Sequence, residues 1–332
     1  MQTKPRLAPD KIFLYTWANY TDDDLLALFE AETGYTVEIN VFDSNELMLT
    51  TLQTGRGADY SIIYPSDYIV EEMIDLDLLT ELDHSRLQGL RDLFPEFQNP
   101  TYDPGNRYSV PMSWGTTGLV YNTKELSPPP EDWSYLWSNQ KKLAKRMTLL
   151  NDSREVMGAV LRMLGYSYNS NNANEIKQAY EELEKLKPYI ASFTTDAWRD
   201  QILAGDLLVA MCYSADAVEV IKENPDLRYV VPLSGSSLWA DTLVIPKAAP
   251  NAKAGYAWIN FLLQPNIAAQ VSERLSFATP VRSAFFELPA EVREDPALFP
   301  SEEVVARCEG IRPVEDENEA LFESYWEQLA ST

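Results

Sequence analysis

Apolar residues in the first eighty positions alternate between two spacings. The β-rich runs KIFLYTW (11–17), TVEINVF (36–42) and DYSIIYPS (59–66) predict strands. The segments DDDLLALFEAETG (22–34), ELMLTTLQTG (46–55) and DYIVEEMIDLDLL (67–79) place apolar residues at helical spacing and predict helices. Strands and helices that alternate through short connections are typical of an open α/β sheet with parallel strands.

The pattern of apolar and polar residues changes at SVPMSWGTTGLVYNTKEL (109–126), where an apolar strand leads into the proline-rich loop SPPPEDW. It changes again at VVPLSGSSLWADTLVIP (230–246), where small and polar residues separate two apolar runs. Residues 172–188 predict a long helix and residues 206–214 a strand. Residues 254–275 predict a helix with a proline break, and residues 318–330 a final helix.

In open α/β sheets, ligands bind beyond the carboxyl ends of the strands. Two such ends carry polar and aromatic residues, Trp17 to Tyr20 after the first strand and Ser66 to Tyr68 after the third. The second stretch also opens a helix, whose N–H groups favour polar ligands. We therefore expect both stretches at one edge of the sheet.

The segment LLNDSREVMG (149–158) places Asp152 and Glu155 three residues apart in front of a helical apolar pattern. This is the spacing of a capping box, in which the Asp accepts a first-turn N–H and the Glu reaches back. The same two carboxylates could instead hold a cationic ligand. The local pattern does not decide between the two.

The 332 residues suit two domains, with 45% hydrophobic and 23% charged residues as in a globular protein. The net charge of −24 repels nucleic acid and anionic membrane surfaces and favours cationic partners. No run reaches the length of a membrane span. The start, MQTKPRLAPDK, lacks the apolar core of a signal peptide, so we expect either a cytoplasmic protein or a mature chain whose export signal has been removed.

Catalytic and metal-binding motifs are missing from the sequence. Cys212 and Cys308 match no metal or redox spacing and could be free or paired, and His84 is the single histidine in the chain. No P-loop, G-x-S-x-G, H-E-x-x-H or G-x-G-x-x-G pattern is present. We therefore expect no enzyme, no cofactor and no metal site.

Seven motifs occur together in one order: LYTWANY, FDSNELM, YPSDYIVEEM, SWGTTGLVYN, LLNDSREV, LWADTLV with IPK, and FATPV. In this combination the chain resembles the spermidine/putrescine-binding proteins of polyamine ABC transporters, from about residue 11 to the C-terminal helix. The resemblance implies a type II periplasmic binding fold, with two α/β lobes, a hinge and a ligand cleft. It implies an N-lobe of residues 1–117 plus 239–310 and a C-lobe of residues 118–238 plus 311–332. It further implies a periplasmic monomer that delivers its ligand to a membrane ABC permease.

The resemblance also implies a binding site for spermidine or putrescine. Asp152, Glu155 and Asp241 would face ligand ammonium groups, and Ser66 and Thr195 would supply hydroxyls. The rings that would line the methylene chain are Trp17, Tyr20, Tyr68, Tyr213, Trp239 and Phe277. For any one ring, ordinary core packing is the alternative.

The chain departs from the family pattern at several positions. Ala18-Asn19 stands where the family's strongest spermidine binder has Thr-Glu, and Tyr213 and Phe277 stand where that protein has Trp and Tyr. A glutamine of the family's site has no clear counterpart, because Ile311 or Arg312 falls there. Asp67, at a position that is uncharged in the family's best spermidine binder, would replace the missing Glu as a ligand contact or would cap the next helix.

Two other functions fit parts of this pattern. A receptor of the same fold could bind another small organic cation. A two-lobed transferase of the porphobilinogen-deaminase type would need a cysteine that attaches a cofactor and basic residues for an acidic substrate. The acidic composition and the sequence context of the two cysteines argue against the transferase.

Overall fold

A computed structural model of the chain describes residues 10–42 and 44–331. The first nine residues, on which the expectation about an export signal falls, and Asp43 of the FDSNELM motif lie outside the described residues. No helix within the described ranges is long and apolar enough to cross a membrane.

The elements below are those of the described residues. The strands are β1 Lys11–Thr16, β2 Thr36–Val41, β3 Ile62–Ile63, β4 Ser109–Asn122, β5 Met147–Leu149, β6 Ser192–Phe193, β7 Val209–Tyr213, β8 Leu227–Val230 and β9 Leu238–Val244. The helices are α1 Asp23–Thr33, α2 Asn45–Gln53, α3 Asp67–Asp75, α4 Tyr135–Ser138, α5 Ser153–Met163, α6 Ala173–Leu186, α7 Trp198–Leu203, α8 Ser214–Glu223, α9 Ala252–Leu262, α10 Pro265–Leu275, α11 Arg282–Glu287, α12 Ala290–Arg293, α13 Glu302–Val305 and α14 Asp316–Ala330. Short 3₁₀ turns complete the connections.

The chain folds into two compact units. Unit 1 comprises the described residues up to Trp114 together with Ala240–Arg293, and unit 2 comprises Gly115–Trp239 and the residues from Glu294 on. The boundaries expected after residues 117 and 238 lie within three residues of the first two crossings. The third boundary between the units differs from the expectation. The structure places it after Arg293 rather than after residue 310.

The segment that follows Arg293 belongs to unit 2 because of its contacts. Arg162 on α5 donates to Glu309 Oε1 at 2.6 Å and to the carbonyl oxygens of Arg307 and Ser234. The Glu309 N–H also donates to the Ser236 carbonyl oxygen at 2.9 Å. These bonds hold residues 294–310 to the unit that carries α5.

In unit 1, β1 pairs in parallel with both β2 and β3, as the alternating pattern predicts. β9 joins this sheet antiparallel to β3, so the sheet is mixed rather than fully parallel. One apolar core cluster of this unit involves β1, α2 and α3 and includes Phe42, Met48 and Val70. The carboxyl ends of β1 and β3 therefore lie side by side, where β9 passes them.

In unit 2, β5 pairs in parallel with β6 and β7, while β4 is antiparallel to β7 and β8. One core cluster packs α5 and α6 against this sheet, around Met157, Leu161 and Leu183. The C-terminal helix α14 packs on the same two helices. α5 thus has a fixed position, with its N-terminus directly after β5.

Sequence signals explain several helix ends. Asp22 caps α1 by accepting the Leu25 N–H, and Gly34 ends that helix at φ 73°. Pro265 separates α9 from α10, which confirms the predicted break. Two predicted lengths are wrong: the third strand shrinks to Ile62–Ile63, and α3 ends at Asp75, because the chain turns at Asp77 with φ 58°.

Candidate functional site

Asp241 in unit 1 lies on β9 beside the residue that follows β3. Ser66 and Asp241 form an antiparallel bridge, and Ser66 Oγ donates to Asp241 Oδ1 at 2.8 Å. The Tyr20 hydroxyl donates to Asp241 Oδ2. The structure therefore confirms that Tyr20, after β1, and Ser66, after β3, lie at one edge of the sheet, and it places Asp241 between them.

Asp241 is a buried carboxylate whose pKa depends on its surroundings. Its side chain is buried, with 5% of the residue exposed, and burial raises the pKa of Asp241 to about 6. The hydrogen bonds from Tyr20 and Ser66 act in the opposite direction and favour the ionised form. Among the described residues, no Lys or Arg forms an ion pair with it.

Tyr20, which donates to Asp241, packs against other aromatic rings. Phe277 is tilted against Tyr20 with ring centroids 4.5 Å apart, and Tyr64 meets Tyr20 edge-on at 6.1 Å. Trp17 packs edge-on against Phe42 at 4.4 Å. The Trp17 Nε1 is buried and has no hydrogen-bond partner among the described residues.

The start of α3 differs from the sequence expectation about Asp67. Ser66 occupies the N-cap position, so Asp67 is the first helical residue rather than the cap. Its Oδ1 accepts the Tyr68 N–H at 2.9 Å. The Tyr68 hydroxyl accepts from Asn45 Nδ2 at 2.9 Å and donates to Glu46 at 3.1 Å. The N-cap alternative for Asp67 is therefore wrong, and its role toward a ligand stays a prediction.

In unit 2, Asp152 and Glu155 lie at the N-terminus of α5. Asp152 is the N-cap, and its Oδ1 accepts the Glu155 N–H at 3.0 Å, which confirms half of the predicted capping box. The other half is wrong, because the Glu155 carboxylate does not turn back toward the cap. It bonds instead to two residues outside the helix.

Those residues are Tyr168 and Ser237, neither of which the sequence pattern identified. The Tyr168 hydroxyl donates to Glu155 Oε2 at 2.6 Å, and Ser237 Oγ lies 3.0 and 2.8 Å from the two carboxylate oxygens. Burial, followed by the nearby charge of Asp152, raises the pKa of Glu155 to about 7. The bonds from Tyr168 and Ser237 lower it and so stabilise the anion.

Tyr168 reaches Glu155 because of a glycine on α5. An ideal Cβ at Gly158 would lie 2.1 Å from Tyr168 Cε1, so the ring occupies the space that a side chain would fill. The only sequence signal for this contact is a glycine inside a helical pattern, which lowers helix propensity and indicates close approach. Ser237 had a weak signal, as part of the polar stretch between two apolar runs.

Trp239 and Tyr213 form the aromatic part of the unit 2 site. Their rings meet edge-on, with centroids 5.8 Å apart. An ideal Cβ at Gly115 would lie 2.4 Å from Trp239 Cζ2, so the indole rests directly on the Gly115 backbone. The Trp239 Nε1 is buried and lacks a hydrogen-bond partner within the described ranges.

The remaining predicted positions are less closely tied to these carboxylates. Thr195 lies between β6 and α7, where its carbonyl oxygen accepts from Trp198 Nε1 at 2.9 Å. Ile311 is buried, and the Arg312 backbone bonds to Asn169 and Arg154. None of the contacts found among the described residues joins Thr195, Ile311 or Arg312 to Glu155.

Comparison with known proteins places this geometry in a family. The model of the family described as "Bacterial extracellular solute-binding protein" matches residues 24–300. The chain belongs to this family. It is 36% identical over 324 residues to spermidine/putrescine-binding periplasmic protein 1 of Haemophilus influenzae, covering 97% of this chain and 89% of that one. It is 34% identical to the spermidine/putrescine-binding periplasmic protein of Salmonella typhimurium, covering 96% and 91%.

A solved structure agrees with these relatives. The spermidine/putrescine ABC transporter substrate-binding protein from Streptococcus pneumoniae superposes with a TM-score of 0.86 at 36% identity, covering 96% of this chain and 98% of that one. The fold class is therefore that of the periplasmic binding proteins, with two α/β units, as the sequence predicted.

Two other carboxylates of this solute-binding protein, Asp103 and Asp216, bind backbone N–H groups or an arginine. Asp103 accepts the N–H groups of Arg107, Tyr108 and Ser109 and so fixes a loop. Asp216 forms an ion pair with Arg199 at 2.5 Å. Cys212 and Cys308 are both free thiols.

Proposed function

We propose that this solute-binding protein is a receptor for a polyamine, putrescine or spermidine, which it delivers to an ABC permease in the membrane. The similarity to spermidine/putrescine-binding proteins, in two relatives and in a solved structure, supports this ligand class and this transport role. The permease, a periplasmic location and a monomeric state are parts of the same proposal.

One observation carries the proposal. Asp241 and Glu155 are buried carboxylates, each with hydroxyl donors and neither with a protein cation among the described residues. A buried carboxylate without a cation is unfavourable, since burial disfavours the charged form, and both pKa values are raised for this reason. A bound ammonium group would supply the missing charge, and the net charge of −24 attracts it.

The nature of the surrounding residues favours a polyamine over a compact cation. Each unit presents a carboxylate together with aromatic rings, namely Tyr20 and Phe277 in unit 1 and Tyr213 and Trp239 in unit 2. Carboxylates bind ammonium groups, and ring faces bind the methylene groups between them through apolar contact and cation–π attraction. A polyamine has both kinds of group in alternation.

We propose no catalytic activity for this protein. A transferase of the two-lobed type needs a cysteine to attach its cofactor. Cys212 is buried with a raised pKa, because burial disfavours its thiolate. The Cys308 thiol donates to the Val304 carbonyl oxygen at 3.3 Å, and burial raises its pKa as well. Closure of the two lobes on the ligand, the mechanism that the family resemblance implies, stays a prediction.

Titration calorimetry with putrescine, spermidine and spermine tests the proposal. We expect 1:1 binding of at least one of the three, and native mass spectrometry of the freshly purified protein should show a noncovalent amine adduct. Arginine and lysine serve as cationic controls. Binding of a control amino acid without binding of any polyamine would instead favour the receptor for another organic cation. A covalent adduct would favour the transferase.

A further inference from the structure

Tyr102 carries a buried hydroxyl group in unit 1. Its hydroxyl oxygen is buried and has no hydrogen-bond partner in the part of the chain that the structure describes. Buried hydroxyls normally have a partner, because an unmet hydrogen bond destabilises the folded state. An orphaned hydroxyl of this kind is a candidate for contact with a ligand.

The position of Tyr102 is fixed by its neighbours. The next residue, Asp103, accepts three backbone N–H groups and the Ser109 hydroxyl at 2.7 to 3.1 Å, which holds the loop rigid. The Tyr102 ring packs on the apolar core cluster of unit 1 that contains Phe42 and Met48. Trp17 and Tyr68 pack on the same cluster. A rigid loop and a packed ring prevent the hydroxyl from turning to water or to another acceptor.

The surroundings of the hydroxyl match a cationic ligand. The charges of Asp67, Asp103 and Asp241 add to burial in raising the pKa of Tyr102, so its phenol stays protonated and neutral. Asp103 is saturated by loop donors, whereas Asp67 and Asp241 belong to the candidate site. Trp17 Nε1, a second buried atom without a partner, belongs to a residue of the same cluster.

We propose that Tyr102 is a ligand-contacting residue whose hydroxyl oxygen accepts a hydrogen bond from a protonated nitrogen of the bound polyamine, in a subsite shared with Asp67. This inference deepens the proposed function and rests on it. It gives the protein three acceptor groups: Asp241 with Tyr20 and Ser66, Asp152 with Glu155, and Asp67 with Tyr102. Spermidine has three nitrogens and putrescine two, so this third subsite determines the preference for the triamine.

The Tyr102→Phe variant removes only the oxygen. In titration calorimetry at pH 7.5 we expect its spermidine affinity to fall about tenfold, the loss typical of one hydrogen bond to a charged group. Putrescine affinity should change less than about twofold on the same scale. The melting temperature of the free protein should stay the same or rise, because no protein hydrogen bond is lost.

Tyr108→Phe is the matched control, since Tyr108 packs on the same apolar core cluster and lies six residues further along the loop. It should leave both affinities unchanged. A Tyr102→Phe protein that binds spermidine like the wild type, while Asp241→Asn loses binding, would overturn this inference and leave the polyamine receptor intact. A lower melting temperature with equal losses for both amines would assign the hydroxyl to folding and also overturn it. A wild-type protein that binds no polyamine removes the proposed function and this subsite together.

Discussion

The Tyr168 hydroxyl donates a hydrogen bond of 2.6 Å to Glu155 Oε2, and both residues are buried in unit 2. Burial and the charge of Glu155 raise the pKa of Tyr168 well above 10, so the phenol remains the donor at every physiological pH. The bond orients the carboxylate and stabilises its ionised form. Tyr168 is therefore a positioning residue for the carboxylate that we propose binds an ammonium group.

Tyr168→Phe should weaken polyamine binding and change its pH dependence. Without the donor, the pKa of Glu155 rises above its value of about 7, so the midpoint of the affinity–pH profile moves upward. We expect a loss of about 1.5–3 kcal/mol in binding free energy at pH 7, measured by calorimetry across pH 6–9. Tyr166→Phe is the control, because the Tyr166 hydroxyl bonds to Gln178 at an exposed position. An unshifted profile in Tyr168→Phe would contradict the positioning role.

Asp241→Asn should weaken polyamine binding by at least about tenfold, because a desolvated ammonium would lose its anion, which costs about 2–5 kcal/mol. The variant should fold, since Asn is nearly isosteric with Asp and keeps one acceptor for Tyr20 or Ser66. Asp77→Asn, which removes an exposed carboxylate paired with Lys247, should bind like the wild type. Equal affinities in the wild type and Asp241→Asn, measured by calorimetry, would make this carboxylate structural.

Polyamine affinity should fall as the pH drops from 8 to 5. Asp241 and Glu155 have pKa values of about 6 and about 7 in the free protein, and a cation binds their ionised forms. Binding at low pH must therefore release up to two protons, which lowers affinity on the order of a thousandfold between pH 8 and pH 5. Calorimetry in buffers of different ionisation enthalpy measures the protons released. Affinity independent of pH, with no proton release, would contradict ionised binding at these two residues.

The two carboxyls should affect the stability of the free protein with the opposite pH dependence. Polyamine affinity rises with pH, whereas their contribution to stability falls. Folding raises both pKa values above their ordinary 3.8 and 4.5, so each carboxyl favours the folded state most at low pH. That contribution is lost as the pH rises through about 6 and 7. Compared with Asp241→Asn, the wild type should therefore lose melting temperature between pH 5 and pH 8. Parallel melting curves over this range would argue against a raised pKa of Asp241.

Trp239→Ala should reduce affinity about as strongly as loss of a carboxylate, because the indole contributes both apolar area and cation–π attraction. Gly115→Ala should have a similar though smaller effect, since the added methyl would displace the indole that lies on Gly115. Tryptophan fluorescence of the wild type should change with spermidine, and this change should shrink in Trp239→Phe. A full fluorescence response in Trp239→Phe would place the reporter elsewhere among the eight tryptophans.

Asp67→Asn should lower spermidine affinity more than putrescine affinity, because the triamine needs one more anionic contact. Asn19→Glu should raise spermidine affinity by restoring an anion after β1, but its stability should fall by about 1–2 kcal/mol. The structure explains this: Asn19 has φ 62°, a left-handed conformation that Asn tolerates and Glu does not. Calorimetry and thermal melting separate the two effects. Equal losses for both amines in Asp67→Asn would leave the selectivity unexplained.

Much of the secondary structure could be predicted because its signals are local. The Asp22 cap, the Gly34 stop and the Pro265 break lie within a few residues of the helix ends that they determine. The third strand and the end of α3 were predicted too long, because an apolar run does not show where pairing stops. Strand direction was predicted only in part, since β4 and β9 join neighbours that lie far away in sequence.

The sequence by itself determined the α/β class, a length that suits two domains and the acidic charge, because these follow from composition and periodicity. The resemblance of its ordered motifs to a known family added the two-lobed fold and the candidate carboxylates Asp152, Glu155 and Asp241. Only the tertiary structure decided which groups surround each carboxylate. Tyr20, Ser66 and Asp241 come from three separate segments, and Tyr168 and Ser237 reach Glu155 from 13 and 82 residues away. The raised pKa values, the space that Gly158 leaves for Tyr168 and the unsatisfied hydroxyl of Tyr102 all depend on burial. Burial arises from the packing of distant segments, which no local pattern of residues specifies.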